Sequence, residues 1–205
     1  MNRARLPAHA VIDGFLPDDA AQALLDHAIA SRDAFQPAIV ARDGARYADD
    51  ADRRAMTNPD LGPARCAFTA AVEAHAEHLC RQVGLAPFPV VAWDIELAAH
   101  RDGGYFHEHI DTMTAANRSG QPGDRVISIV YYLHRPEARF SGGELVLRPF
   151  DRSGQEIRIA PRHNRLVAFP SFARHEVATV HVPGDGWEDA RFSINCWLLR
   201  GREDR

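Results

Sequence analysis

The sequence has 205 residues, 45% of them hydrophobic, and a formal net charge of −4. This length suffices for one well-buried domain, and the small negative charge gives no sign of a nucleic-acid surface. All 24 Lys and Arg residues are arginines, which excludes lysine Schiff-base chemistry and leaves arginine or histidine to bind anions.

The three cysteines are odd in number and form no Cys-x-x-Cys pair. A disulfide framework is therefore not expected, and a reducing cytoplasm is the predicted location. The N-terminus lacks the apolar run of a signal peptide, and no stretch reaches membrane-spanning length. We expect a soluble cytoplasmic protein with no nucleic-acid or membrane partner, and the sequence leaves its oligomeric state open.

The first third of the chain predicts two amphipathic helices. One begins at Asp18, whose side chain can cap it, and runs to about residue 30. The other spans about 63–83, with apolar residues at spacings of three and four. The expected buried faces consist of Ala20, Leu24, Leu25 and Ala28 in the first helix, and of Phe68, Val72, Ala76, Leu79 and Val83 in the second.

Between the helices lies a charged, glycine-bearing segment, residues 41–54, which predicts a mobile loop. Its Arg53 and Arg54 are candidate substrate contacts, as is Arg125 at the start of a later strand. Whether loops 41–58 and 112–125 close over a substrate stays open at this level.

From Phe88 onward the pattern changes to short strands separated by turn residues. The predicted strands are 90–99, 105–111, 126–133, 144–149, 155–160, 165–169, 175–182 and 190–199. Eight such strands favour a mainly β, α+β fold: a double-stranded β-helix (jelly roll, cupin-like) with the N-terminal helices packed on one sheet. We expect a single domain over 1–205, with a helical extension at 1–87 and the core at 88–200.

The segment H-E-H-I-D contains a potential metal site. Residues two apart in a strand share a face, so His109 and Asp111 can both reach one ion, and a later strand offers His175 as a third ligand. Two imidazoles and one carboxylate on one face form the ligand set of non-heme Fe(II) oxygenases. Zinc accepts the same ligands.

A cupin-type site is the rival interpretation, because His107 and His109 form a His-x-His pair. That pattern needs a glutamate three or four residues later, where this chain has Thr112 and Met113, so it fails. His107 is left either as a contact to substrate or co-substrate or as a histidine at the pocket edge.

Two later strands predict a polar pocket beside the metal. In R-F-S-I-N-C-W, alternation places Arg191, Ser193 and Asn195 on one face and apolar residues on the other. A dicarboxylate bound to the metal at one end needs a partner for its distal carboxylate, and bidentate arginine is the strongest available. Tyr132, on the polar face of R-V-I-S-I-V-Y-Y-L, can add its hydroxyl.

The motifs H-I-D, R-V-I-S-I-V-Y-Y-L, F-S-G-G-E-L, H-E-V and R-F-S-I-N-C-W, in this order over about 95–198, resemble the prolyl 4-hydroxylase-like branch of the 2-oxoglutarate- and Fe(II)-dependent oxygenases. The resemblance implies that His109, Asp111 and His175 bind iron and that Arg191 anchors 2-oxoglutarate beside Tyr132. Asn195 stands where the family often has threonine, and His100 stands where many members carry tyrosine near the co-substrate. The implied apolar lining of that pocket is Leu145, Val177 and Trp197.

The implied reaction is hydroxylation of an unactivated C–H bond by a dioxygenase that uses Fe(II), 2-oxoglutarate and O₂, releases succinate and CO₂, and can take ascorbate as reductant. Asp111 favours hydroxylation over halogenation, because halogenases of this superfamily have a small residue there. The expected substrate is a prolyl or other amino-acid residue of a peptide; the alternative is a free amino acid or small metabolite. A non-redox metal- or sugar-binding jelly-roll module is a further alternative, but it gives no reason for Arg191 and Tyr132.

Overall fold

A computed structural model describes residues 6–42, 45–113, 117–118, 120–151, 154–184 and 186–202. The side chains of residues 41, 42 and 46 lie outside that description. The predicted loop 112–125 is therefore described only in part, since residues 114–116 and 119 fall outside the described ranges.

Two helices form where the periodicity predicts them: α1 (Asp18–Ala30) and α2 (Arg65–Gln82). Leu24, Leu25 and Ala28 are buried in α1, as expected, with Ala21 more deeply buried than Ala20. The predicted cap is wrong. Pro17 occupies the N-cap position and no side chain caps the helix, so Asp18 lies in the first turn, where its charge favours the helix dipole instead.

Sixteen strands make up the rest of the regular structure in the described chain. They are β1 (Ala10–Asp13), β2 (Gln36–Pro37), β3 (Ile39–Arg42), β4 (Ala45–Ala48), β5 (Arg53–Arg54), β6 (Met56–Asn58), β7 (Val90–His100), β8 (Tyr105–His109), β9 (Asp124–Leu133), β10 (Ser141–Gly142), β11 (Leu145–Leu147), β12 (Ile157–Ile159), β13 (Arg165–Pro170), β14 (His175–Val177), β15 (Val180–His181) and β16 (Arg191–Arg200).

The strands form two principal antiparallel sheets, as the jelly-roll prediction requires. The larger has the order β1-β13-β9-β16-β7-β6-β2, and the smaller has the order β12-β11-β14-β8-β5. The two remaining pairs are β10–β15 and β3–β4. The predicted fold class is confirmed, and all eight predicted strands are present, with 175–182 divided into β14 and β15.

The predicted loop at 41–54 is wrong for most of its described residues. β3 and β4 pair as a hairpin, and β5 pairs with the edge of β8 through Arg53 opposite Phe106. The N-terminal third is likewise not purely helical, because it contributes β1 and β6 to the larger sheet. Each of these short strands is stabilised by a partner distant in sequence, which local patterning does not reveal.

The main hydrophobic core lies between the helices and the outer face of the larger sheet. Phe68 of α2 lies 5.5 Å, between ring centroids, from Tyr131 of β9. Phe192, Ile194 and Cys196 of β16 are fully buried in the same cluster. The alternate residues of β16 therefore point to the opposite face, toward the interior between the two sheets.

No helix in the described part of the chain is both long and apolar enough to cross a membrane.

Candidate active site

Three sequence-predicted ligands meet at one end of the smaller sheet. His109 ends β8, His175 begins β14, and the two residues are paired across the strands. Asp111 follows β8, where its backbone N–H donates to the Ser171 carbonyl at 2.8 Å. Its Oδ1 lies 3.5 Å from His109 Nε2, and its Oδ2 lies 3.4 Å from His175 Nε2. One ligand atom from each residue lies within 4.8 Å of the others.

Hydrogen bonds aim both imidazoles at the same point. His109 Nδ1 lies 2.7 Å from the His107 carbonyl oxygen, and His175 Nδ1 lies 2.9 Å from that of Ala173. A carbonyl only accepts, so each Nδ1 carries the proton and each Nε2 presents a lone pair. Ser128 donates to Asp111 Oδ2 at 2.6 Å, which fixes the carboxylate between the two rings.

The charge states of these groups suit a divalent cation. Burial and the neighbouring His109 lower the pKa of His175 to about 4, despite the opposing effect of Asp111. Burial by itself would raise the pKa of Asp111, but the adjacent imidazoles hold it well below the usual range for a carboxyl group. At neutral pH the site therefore offers a neutral His175 and an ionised carboxylate.

The separations between the ligand atoms fit a single divalent metal ion. Ligand atoms bound at about 2.1 Å in adjacent positions of one ion lie about 3 Å apart, close to the two measured histidine–aspartate separations. Side-chain oxygen and nitrogen donors arranged on one face leave the opposite positions open for a chelating co-substrate.

A fully buried arginine lies on the inner face of the larger sheet, across the interior from the sheet that carries the metal ligands. Arg191 is 1% exposed, its Nε donates to the Gly143 carbonyl at 2.8 Å, and its Nη1 donates to Ser193 Oγ at 3.3 Å. Gly143 has φ +71°, and a Cβ there would lie 2.8 Å from Arg191 Cδ, so the S-G-G-E motif makes room for this side chain. Burial lowers the Arg191 pKa, against the effects of Tyr132 and Glu144.

The hydrogen-bond direction at His100 fixes its tautomer. Arg191 Nη1 lies 3.4 Å from His100 Nδ1; arginine only donates, so Nδ1 is the acceptor and Nε2 carries the proton. Burial, together with Arg191 and Arg53, lowers the His100 pKa well below its ordinary value, which keeps the ring neutral.

Three buried donors around this arginine have no hydrogen-bond partner in the described structure: Arg191 Nη2, His100 Nε2 and the Tyr132 hydroxyl. The Tyr132 ring centroid lies 4.9 Å from Arg191 Cζ. Leaving several buried donors unpaired costs free energy. A bound carboxylate supplies the acceptor oxygens and the negative charge that this cluster lacks.

Comparison with known proteins identifies the family. The sequence profile of the 2OG-Fe(II) oxygenase superfamily matches residues 95–199. The chain belongs to this superfamily. The chain is 33% identical over 129 residues to an uncharacterised PKHD-type hydroxylase from Synechocystis sp., a match that spans 60% of this chain and 41% of the relative. It therefore spans well under half the length of that relative.

Solved prolyl hydroxylases share the fold of this chain at low identity. A prolyl-4-hydroxylase from Pseudomonas putida is 20% identical, with a TM-score of 0.68 and coverage of 95% of this chain and 93% of that one. A prolyl hydroxylase from Trichoplax adhaerens, solved with a hypoxia-inducible-factor peptide fragment, is 19% identical, with a TM-score of 0.71 and coverage of 94% and 84%.

The contacts of the remaining sequence-predicted residues differ from one residue to the next. Leu145 and Val177 are paired across β11 and β14, and Leu145 packs in a buried cluster with Tyr132. Asn195 donates through Nδ2 to Glu96 Oε1 at 3.1 Å, a contact that the sequence did not suggest. His107 is exposed and stacks on Tyr105 at 4.6 Å, so its carbonyl rather than its ring contacts His109.

A cavity of about 780 Å³ opens beside His109 and Asp111. Trp197 lines this cavity, with the Arg125 guanidinium stacked 3.8 Å from its ring centroid. Arg125 is paired with Asp94, and the buried Arg53 donates to Glu96 Oε1 at 2.6 Å. Arg54 is exposed and lines a separate cavity of about 430 Å³.

Sequence analysis missed Asp94, Glu96, Ser128 and Ser171 as members of the site. Asp94 and Glu96 lie on the same face of β7 as His100, because residues two apart in a strand share a face. The alternation in the sequence contains this signal, but no known ligand motif includes the two acidic residues. Ser171 lies 3.0 Å from Ser128 through their hydroxyl oxygens, a pairing that only the assembled sheets produce.

Proposed function

We propose that this oxygenase hydroxylates an unactivated C–H bond, using Fe(II), 2-oxoglutarate and O₂ and releasing succinate and CO₂. The observation that carries this proposal is the cluster of three unpaired buried groups around Arg191 on the larger sheet, which faces the same interior between the two sheets as the His109–Asp111–His175 set on the smaller sheet. A zinc-binding or sugar-binding module has no use for a desolvated arginine without a carboxylate partner.

Each residue of the site has a distinct role in this proposal. His109, Asp111 and His175 hold Fe(II), which when bound supplies the redox chemistry with O₂. Ser128 orients the Asp111 carboxylate. Arg191, Tyr132 and His100 donate hydrogen bonds to the distal carboxylate of 2-oxoglutarate, and this also neutralises the buried guanidinium.

The other predicted residues shape the co-substrate pocket. Leu145 and Val177 form its apolar wall, and Asn195 offers a polar contact whose orientation depends on Glu96. Trp197 lines the 780 Å³ cavity, which we assign to the primary substrate; a volume of this size accommodates an amino-acid residue with its neighbours.

Two substrate classes fit this cavity. The likeness in fold to prolyl hydroxylases supports a prolyl or other residue in a peptide. The Arg125–Asp94 and Arg53–Glu96 ion pairs in its wall favour the second candidate, a free amino acid or small charged metabolite, because its charged groups can exchange with such pairs.

Spectroscopy and turnover test the proposal together. Anaerobic protein with Fe(II) and 2-oxoglutarate should develop a weak visible charge-transfer band, and Asp111→Ala should abolish it. With O₂, succinate release should be stimulated by the true substrate in a screen of free amino acids, prolyl peptides and metabolites. The absence of a band from wild-type protein at saturating ligand would contradict the assignment, and Arg158→Met, at an exposed position of β12, serves as the matched control.

We also propose a cytoplasmic location, supported by three free cysteines in the described chain, of which Cys66 is exposed.

A further inference from the structure

A balanced ionic network covers the outer face of the smaller sheet, on the side opposite the metal ligands. Arg148 lies at its centre: its Nη2 donates to Glu176 Oε1 at 2.8 Å, its Nε lies 3.7 Å from Glu108 Oε2, and its Nη1 pairs with Glu156. Among the described residues, the network comprises three arginines and three glutamates: Arg148, Arg158, Arg174, Glu108, Glu156 and Glu176.

Two members of this network are chain neighbours of the metal ligands. Glu108 directly precedes His109, and Glu176 directly follows His175. Since successive strand residues point to opposite faces, the histidines face inward while the glutamates face outward. The network therefore links the outward-facing side chains of the two strands that carry the imidazoles.

The pairing between β8 and β14 is short and irregular. β14 has three residues, and its pairing with β8 shifts register between His175↔His109 and Val177↔Phe106. Two residues of β8 thus oppose Glu176 alone, which is a bulge directly beside the metal ligands. Glu108 and Glu176 bring like charges to this bulge, and these would repel each other without a shared cation.

We propose that Arg148 is a positioning residue for the metal centre. Its guanidinium bridges Glu108 and Glu176 across the bulge and thereby sets the separation of His109 and His175. The inference rests on the proposed function insofar as these histidines bind the metal. Arg174 reinforces the bridge, because its Nη2 and Nε both donate to Glu108 Oε1, at 2.6 and 2.9 Å.

The partial burial of these side chains explains why this network contributes more stabilisation than an ordinary exposed ion pair. Isolated exposed ion pairs contribute little. Here the Arg148 side chain is 30% exposed and Glu176 22% exposed, and one guanidinium serves three carboxylates. Loss of Arg148 leaves Glu176 without this cation next to a metal ligand, and we expect metal binding to weaken by about 10-fold, the lower end of the effect of losing a group that orients a ligand.

The test compares Arg148→Met with wild type and with Arg158→Met, which removes a network arginine whose ion pair among the described residues is with Glu156. Anaerobic Co(II) titration should show about 10-fold or greater weakening in Arg148→Met, with an altered Co(II) absorption envelope, and unchanged binding in Arg158→Met. Arg148→Lys should recover part of the affinity, because lysine supplies the charge without the planar fork.

Stability measurements separate positioning from support of the fold. If Arg148→Met lowers the melting temperature but binds Co(II) with wild-type affinity and spectrum, the proposal is overturned. Should that variant fail to fold, Glu176→Gln takes its place, with weaker binding expected and wild-type binding overturning the proposal. Failure of wild-type protein to bind Co(II) at all would instead contradict the proposed function.

Discussion

At the scale of single residues, the site is organised by which groups are left without partners. The metal ligands have their orienting hydrogen bonds complete, so each Nε2 is free for a metal. Around Arg191 the opposite holds, because each of the three unpaired groups can donate a hydrogen bond. A centre that combines free lone pairs with unpaired donors fits a cation and an anion bound side by side, as in a metal chelated by 2-oxoglutarate.

Replacement of Arg191 by methionine tests this arrangement, since methionine retains much of the volume but none of the charge. We expect the affinity for 2-oxoglutarate to fall by about 100-fold, or about 2.7 kcal/mol, because the distal carboxylate loses its cation. The affinity for Co(II) alone should be nearly unchanged. Both constants can be measured by anaerobic titration, and loss of metal binding in this variant would show that Arg191 has a structural role instead.

At the scale of elements, two histidines connect the end of β9 to the start of β13 by hydrogen bonds. His134 Nε2 accepts the backbone N–H of His163 at 2.7 Å, and His163 Nδ1 accepts that of His134 at 3.2 Å. The adjacent Asn164 bonds through Oδ1 to the Leu16 N–H and the Tyr131 hydroxyl, at 2.9 and 2.8 Å. The histidine pair thus also supports the attachment of the N-terminal segment.

This histidine pair should make stability depend on pH. Burial lowers the pKa of both rings below 6.5; at His163 the neighbouring His134 adds to the effect and Asp18 opposes it. The unfolded chain therefore binds more protons below about pH 6.5, and stability falls with acidification through that region. His134→Gln should lose less stability than wild type between about pH 7 and about pH 5.5.

Melting temperatures across that range measure the effect. His78→Gln, a change at an exposed position of α2, is the matched control and should follow the wild-type curve. An identical pH dependence in His134→Gln and wild type would show that the pair does not titrate on unfolding.

At the scale of the whole molecule, the helices and the larger sheet share one core. Phe15 contacts both Phe68 and Tyr131, with centroid distances of 6.5 and 5.9 Å, so the extension and the strands are interleaved. On this basis we propose that residues 1–87 and 88–200 form one cooperative domain. The inner face of the same sheet carries Arg191, so the helices indirectly support the site.

Phe68→Ala tests cooperativity in a Trp187→Phe background, because Trp187 donates to the Ala28 carbonyl of the extension, whereas Trp93 and Trp197 lie on the core strands β7 and β16. The cavity left in α2 should cost about 3–5 kcal/mol and lower the midpoint of tryptophan fluorescence and of far-UV circular dichroism equally. Glu73→Gln, at an exposed position of the same helix, should change neither. An unshifted fluorescence midpoint would mean that the extension unfolds separately.

Local sequence patterns were sufficient for much of the site. Strand alternation alone places His109 with Asp111 and Arg191 with Ser193, since a two-residue period needs no knowledge of the rest of the fold. The same periodicity predicted the apolar face of β16 and the buried stripes of both helices. Charge and turn composition, in contrast, predicted a loop at 41–54, because short edge strands derive their stability from distant partners.

What only the tertiary structure decided is which side chains from distant elements share a desolvated space. The tautomer of His100 depends on Arg191, ninety-one positions away, and the pairing of Arg53 with Glu96 depends on β5 joining β8. The Arg148 network likewise arises from four strands brought side by side. Hydrogen-bond direction and burial are properties of the assembled sheets, whereas the spacing of ligands along a strand is a property of the chain.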